Sequence, residues 1–220
     1  FEMNDEDASY FPEGELVLFA SQEPEIDDHK YAWKYKVYSA NPLGVNEILI
    51  DADKGEVIRN LDMIQYGNAN GTAVTKYSGV RSITTDSTAV NSFRLRESGR
   101  GLGIETYDLN NGGSYYSAVD FIDADNYWDN VNAEQDEVAT DAHWAAEMTY
   151  DYFLQVHGRN SIDNNGFPIR SYVHYGTNYI NAFWDGYRMT YGDGNSSLGI
   201  GPLVTVDIVG HEITHGLTQY

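Results

Sequence analysis

His211-Glu212-Ile213-Thr214-His215 is where the sequence concentrates its chemistry. On a helix, residues four apart share a face, so both imidazoles can converge on one metal ion. Glu212 is offset by one position, enough to reach a water on that metal without ligating the metal itself. Two nitrogen ligands with a general base beside them form the residue set of zinc-assisted hydrolysis. A solvated helix with two incidental histidines is the plain alternative. One class of such sites continues with Gly at position 218 and a third His at 221; residue 218 is Thr, which disfavours that class. The other class takes a Glu from a later helix, and no residue after Tyr220 is present to supply it. Zinc wants at least three protein ligands. Residues 1–220 are therefore not expected to complete the site by themselves.

The other candidates are weaker. His29, His143, His157 and His174 show no ligand spacing with one another and are expected to be surface or satisfied packing histidines. Asp51-Ala52-Asp53-Lys54-Gly55-Glu56 lacks the EF-hand spacing with its acidic twelfth position, so a hairpin turn is expected there.

The elements that must position HEITH follow from periodicity. Val138, Ala142, Ala145, Thr149, Tyr152 and Val156 recur at helical spacing and predict one buried face of a long helix over residues 133–157. Glu134, Asp136 and Glu137 suit its first turns and Gly158 its stop. A second helix is expected to begin near residues 204–207, after Pro202, and to carry HEITH. Strands are expected at 15–20, 31–38, 47–50, 56–59, 93–97, 104–108, 172–175 and 189–191. Within 31–38, Tyr31, Trp33, Tyr35 and Val37 form one face, which needs cover. The loosest stretch, residues 67–71 (GNANG), is the predicted boundary between two regions of an α+β chain.

Composition excludes several classes. The 220 residues hold 13 Lys+Arg against 34 Asp+Glu, a formal net charge of −21. Such a surface repels phosphate, which argues against nucleic acid and anionic membranes as partners. With 41% hydrophobic and 14% aromatic residues the chain can build a core. There is no cysteine, hence no thiol catalysis and no cysteine-ligated zinc. No apolar run approaches the length of a membrane span. The chain starts at Phe1 without a signal segment and stops five residues after His215, as a piece of a longer precursor would.

Residues 207–220 (DIVGHEITHGLTQY) resemble the active-site helix of thermolysin- and vibriolysin-like neutral metalloproteases. Residues 181–186 (NAFWDG) resemble that family's substrate-edge segment and 189–194 (MTYGDG) its following strand and turn. Residues 157–161 (HGRNS) and 171–175 (SYVHY) match the same pattern in order and spacing. The match covers about residues 100–220 well and 67–100 loosely. Residues 15–65 look like the end of the family's propeptide, a small α+β module that chaperones and inhibits its own enzyme. The division expected is thus 1–65, propeptide, and 66–220, the β-rich N-terminal part of a catalytic domain, with the junction between residues 62 and 71.

The resemblance implies a secreted zinc endopeptidase acting on peptides and proteins. His211 and His215 would ligate zinc, and Glu212 would act as general base. Asn181 and the Ala182 backbone would pair with an extended peptide, and Trp184 would help shape the cleft. Asp207 matches a ligand of the family's double calcium site. Asp123-Ala124-Asp125 resembles a second calcium loop, with Tyr127 where the family has Gln. As a fragment the chain is expected to be inactive, to pack its first region on the second, and to self-associate through exposed Ile208, Ile213 and Leu217. The alternative is a non-catalytic calcium- or partner-binding module that keeps half of a protease.

Overall fold

Two units make up the chain, Phe1–Gln65 and Tyr66–Tyr220. The computed structural model describes residues 12–20, 29–40, 43–62, 67–129 and 136–220. In the first unit, β1 (Gly14–Ala20), β2 (His29–Ala40), β3 (Leu43–Asp51) and β4 (Val57–Asp62) form an antiparallel sheet in chain order. Its described residues are strand and turn throughout, with no helix, so the helical half of an α+β module is not found among them. The predicted hairpin turn joins β3 to β4. Asp51 Oδ1 accepts the amides of Asp53 and Lys54, both at 2.9 Å, and Gly55 takes φ +73°. One sheet face buries Ala32 and Leu49; the other sets Leu16 beside Trp33 and Leu18 beside Tyr31, all four exposed.

The second unit is mixed α+β, strand-rich with two helices. A five-stranded sheet has the order β11 (Ile122–Asp123), β7 (Ser92–Arg94), β6 (Val80–Ala89), β5 (Asn68–Val74), β12 (Tyr127–Trp128). A six-stranded sheet runs β10 (Val119–Asp120), β9 (Ile104–Asp108), β13 (Ile169–Val173), β15 (Met189–Tyr191), β14 (Ala182–Trp184), with β8 (Arg96–Glu97) beside β9. Helix α1 (Asp136–His157) packs on strands of both sheets and on helix α2 (Val206–Gln219). No helix among the described residues is long and apolar enough to cross a membrane.

Residues 67–71 are not the loose stretch expected, since β5 begins at Asn68 and runs through Gly71, while the two units divide just before it, between Gln65 and Tyr66. A Cβ on Gly71 would stand 2.5 Å from Asn126 Oδ1, so this glycine serves close approach between strand and turn.

Helix α1 is buried almost all round from Asp136 to Tyr150. Glu134 lies outside the described residues. The predicted face holds at Val138, Ala142, Ala145 and Thr149, but Tyr152 and Val156 are 54% and 59% exposed, because the helix outruns its cover beyond Tyr150. Polar residues on the opposite side are buried too, each with partners on distant elements. Asp141 accepts the Tyr77 amide and, at 2.7 Å, the Ser78 hydroxyl. Glu147 Oε1 accepts the Thr84 amide at 2.8 Å and Arg100 Nη1 at 3.0 Å. His143 sits between the Thr84 carbonyl, 2.9 Å from Nε2, and the Thr106 hydroxyl, 3.0 Å from Nδ1. The carbonyl can only accept, so Nε2 donates to it; the Thr106 hydroxyl can donate or accept, and with the ring neutral it donates to Nδ1.

Burial pushes His143 from its ordinary 6.5 down to about 4. Between those values the unfolded chain binds a proton that the folded chain refuses, so stability falls as pH drops through this window. Burial raises Asp141 and Glu147, which act in the opposite sense. The His143 contribution is therefore read by difference. Between pH 7 and pH 5, wild type is expected to lose about 2 kcal/mol more than His143→Gln in urea unfolding. Equal losses would show that His143 is not held neutral.

Candidate active site

Thr205, extended at ψ 151°, opens α2, and Asp207 lies in its first turn. The helix buries Val209, Glu212, Ile213 and Gly216 and leaves His211, Thr214, His215 and Thr218 exposed. Ile213 is 2% exposed, and Ile208 and Leu217 pack partly buried on the same core. This corrects the expectation that all three lie open: α1, Ile162 and Trp184 provide the cover within this unit. The uncovered face of α2 is the one that carries the imidazoles.

Those imidazoles meet. His211 Nε2 and His215 Nε2 are 3.0 Å apart, with ring planes at 89° and centroids 4.6 Å apart. Two nitrogens aimed at one exposed point are a donor set that suits zinc, so the residues present fit the metal as two of its ligands. Among the described residues no cluster of three or more His, Cys, Asp or Glu could hold a metal. Glu212, 6% exposed, turns to the next face. It lines a cavity of about 460 Å³ together with Asn181, Ala182, Leu203, Asp207, Ile208 and His211. One proposed ligand and the carboxylate thus open onto the same space.

Asn181 and Ala182 reach that space because β14 ends the sheet. Ala182 pairs with Tyr191 on one side, and no described strand pairs with the other. Trp184 does not line the cavity. Its Nε1 donates to Gln219 Oε1 at 2.8 Å and its ring lies beside Phe167, so it braces the end of α2. Asp207 is exposed, and the Thr205 hydroxyl beside it holds its carboxyl below the usual range. In the 123–125 loop, Asp123 Oδ1 accepts the amides of Asp125 (3.0 Å) and Asn126 (2.6 Å), and Asp125 Oδ1 that of Tyr127 (2.9 Å). Both carboxylates are thereby engaged by their own turn. His157 is exposed at the end of α1, whereas His174 is 3% exposed with Nδ1 2.8 Å from Asp193 Oδ1.

Leu203 and Ile208 are the wall residues that sequence reasoning missed. Ile208 had a signal: it lies three positions before His211 and so shares its side of the helix. Two glycines within α2 carried another, since each costs about 1 kcal/mol in a helix and needs a reason. At Gly210 an added Cβ would find only Thr149 Oγ1 at 3.5 Å, whereas at Gly216 it would meet Ile162 Cγ2 at 3.0 Å and Trp184 Cζ2 at 3.3 Å. Gly216→Val is expected to destabilise the second unit by about 1–3 kcal/mol, and Gly210→Ala to be neutral or slightly stabilising. Chemical denaturation checks both; equal effects would show that Ile162 and Trp184 do not set the spacing.

The family model described as the thermolysin metallopeptidase catalytic domain matches residues 70–219. The chain is 38% identical over 207 residues to bacillolysin of Brevibacillus brevis, covering 90% of this chain and 37% of that protein. It is 40% identical over 175 residues to the transglutaminase-activating metalloprotease of Streptomyces mobaraensis, covering 78% and 22%. Among solved structures, the precursor of protealysin, a metalloproteinase from Serratia proteamaculans, is 32% identical with a TM-score of 0.45, over 53% of this chain and 34% of that one. The chain spans less than two fifths of the length of these two curated relatives.

Proposed function

The chain belongs to the thermolysin metallopeptidase family, and from that premise we propose that it carries the zinc-binding helix and substrate edge of a secreted zinc endopeptidase. The observation that supports this most is the 3.0 Å approach of the two Nε2 atoms above a cavity that Glu212 lines. His211 and His215 would hold zinc, with a third ligand from outside the described residues. When bound, zinc supplies Lewis acidity to a water molecule and to a scissile carbonyl. Glu212 takes the proton of the attacking water and hands it on to the leaving nitrogen. The substrate lies extended along β14, its backbone paired with Asn181 and Ala182. Leu203 and Ile208 favour an apolar side chain in the cavity. Asp207 would contribute to a calcium site, and residues 1–65 would be the end of an inhibitory propeptide.

Each missing ligand removes several kcal/mol of a total of roughly 10–16. The isolated 220-residue chain should therefore bind zinc at micromolar affinity or worse. After dialysis it is expected to hold well under one zinc, and to hydrolyse casein no faster than Glu212→Ala. Calorimetric titration should show zinc binding weakened further by His211→Ala and by His215→Ala. Zinc affinity indifferent to both substitutions would overturn the proposal. Stoichiometric, chelator-resistant zinc would reveal a third ligand within the chain or from a second copy.

A further inference from the structure

Arg159 differs from other arginines of its unit in what it holds. Arg94, Arg96, Arg100, Arg170 and Arg188 each pair with a carboxylate, and Arg81, which has no such pair among the described residues, lies over the Trp144 ring. Arg159 makes no ion pair among the described residues, although the chain carries an excess of acid. Its Nη2 donates instead to two main-chain carbonyls, Ile162 at 2.5 Å and Leu217 at 3.2 Å. Its own amide donates to the Phe153 carbonyl in α1 at 3.1 Å, and its Nε is buried with no protein partner. A guanidinium is shaped for carboxylates. Committed to carbonyls in an acidic protein, it acts as a tie between backbone segments.

One of those segments carries a proposed ligand. Leu217 lies two residues after His215 in α2. Ile162, whose carbonyl shares the same Nη2, is fully buried, and its side chain fills the space beside Gly216. Arg159 and Ile162 therefore hold the turn that follows His215. His215 shares this helix end, so its place beside His211 would depend on that turn. If that turn loosens, one imidazole leaves and the site falls to a single ligand. Apparent affinity then drops in proportion to the fraction of molecules with the turn formed.

We infer that Arg159 is a positioning residue for the imidazole pair: by tying Leu217 of α2 to Ile162 and to the end of α1, it holds His215 in register with His211. The inference rests on the zinc reading above. Cu(II) alone, which binds imidazole more tightly than zinc, is the probe. It is titrated into the 220-residue chain and read through its d–d absorption, with amide hydrogen exchange of residues 215–219 followed on the same samples. Arg159→Ala is expected to weaken Cu(II) binding about five-fold and to speed exchange in that turn. Arg159→Lys, which keeps a cationic donor, should recover most of both. Arg159→Gln replaces the alanine variant if that does not fold. Unchanged affinity in Arg159→Ala, with or without faster exchange, overturns the inference, as does a lysine variant as weak as alanine. His215→Ala separates the two levels. A Cu(II) band that survives it defeats the imidazole-pair reading, whereas slow exchange at 215–219 in Arg159→Ala defeats the tie alone.

Discussion

Glu212→Gln is expected to lower kcat/KM for casein by about 10²–10⁴ in any form of the protein that holds zinc and hydrolyses casein. The amide has the shape of the carboxylate and cannot take a proton. Glu212 lies on the cavity wall beside His211, 6% exposed, and the imidazoles lie on the next face of the helix. The substitution should therefore leave zinc content and KM near those of wild type while kcat falls. Metal analysis alongside steady-state kinetics separates the two effects. Activity within ten-fold of wild type at equal zinc content would mean that another group takes the proton.

Arg100→Ala is expected to destabilise the second unit by about 3–5 kcal/mol, the cost of leaving a buried charge without its partner. The Glu147 side chain is 1% exposed and receives Arg100 Nη1 at 3.0 Å, while Asp151 accepts Nε and Nη2 at 2.9 and 3.0 Å. Burial already raises the Glu147 pKa, and Arg100 opposes that rise. Without Arg100 the folded state keeps a proton on Glu147 at pH values where the unfolded chain has lost it. Stability from that proton is present at low pH and is lost as pH rises through the folded value. The deficit of Arg100→Ala relative to wild type should thus shrink from pH 7 to pH 5. Adding Glu147→Gln should recover much of the loss at pH 7. A deficit below 1 kcal/mol in urea unfolding, flat with pH, would show that Glu147 is satisfied without Arg100.

What the sequence revealed is what local spacing controls. His211 and His215 converge because residues four apart share a helical face, and the Asp51 turn closes because Asx carboxylates bond amides two and three residues on. The rest was hidden by partners far away in the chain. Asp141 and Glu147 lie off the apolar face that the spacing of α1 picks out, and the sequence reads His143 as a surface or a packing histidine; all three are buried against residues 59 to 64 positions away. Asn68 to Gly71 read as loose because Gly and Asn favour turns; the close approach of Asn126 that makes glycine useful there joins positions 55 apart. Trp184 lay in the right segment, but the partner that turns it away from the cavity, Gln219, sits on another element.

The short outer edge of β14 has a consequence for which proteins such an enzyme can cut. On the proposed reading, the three residues of this strand would accept a partner only in the extended form and would grip main chain, which all peptides have in common. Helices and paired strands in a folded target have already spent those main-chain groups on their own hydrogen bonds. A target would therefore have to open locally before it could lie along the edge, and where opening is fast its rate of cleavage would follow the population of the open form. Susceptibility would then rank proteins by how often a short stretch comes free, with the side chain offered to the cavity choosing the bond within it.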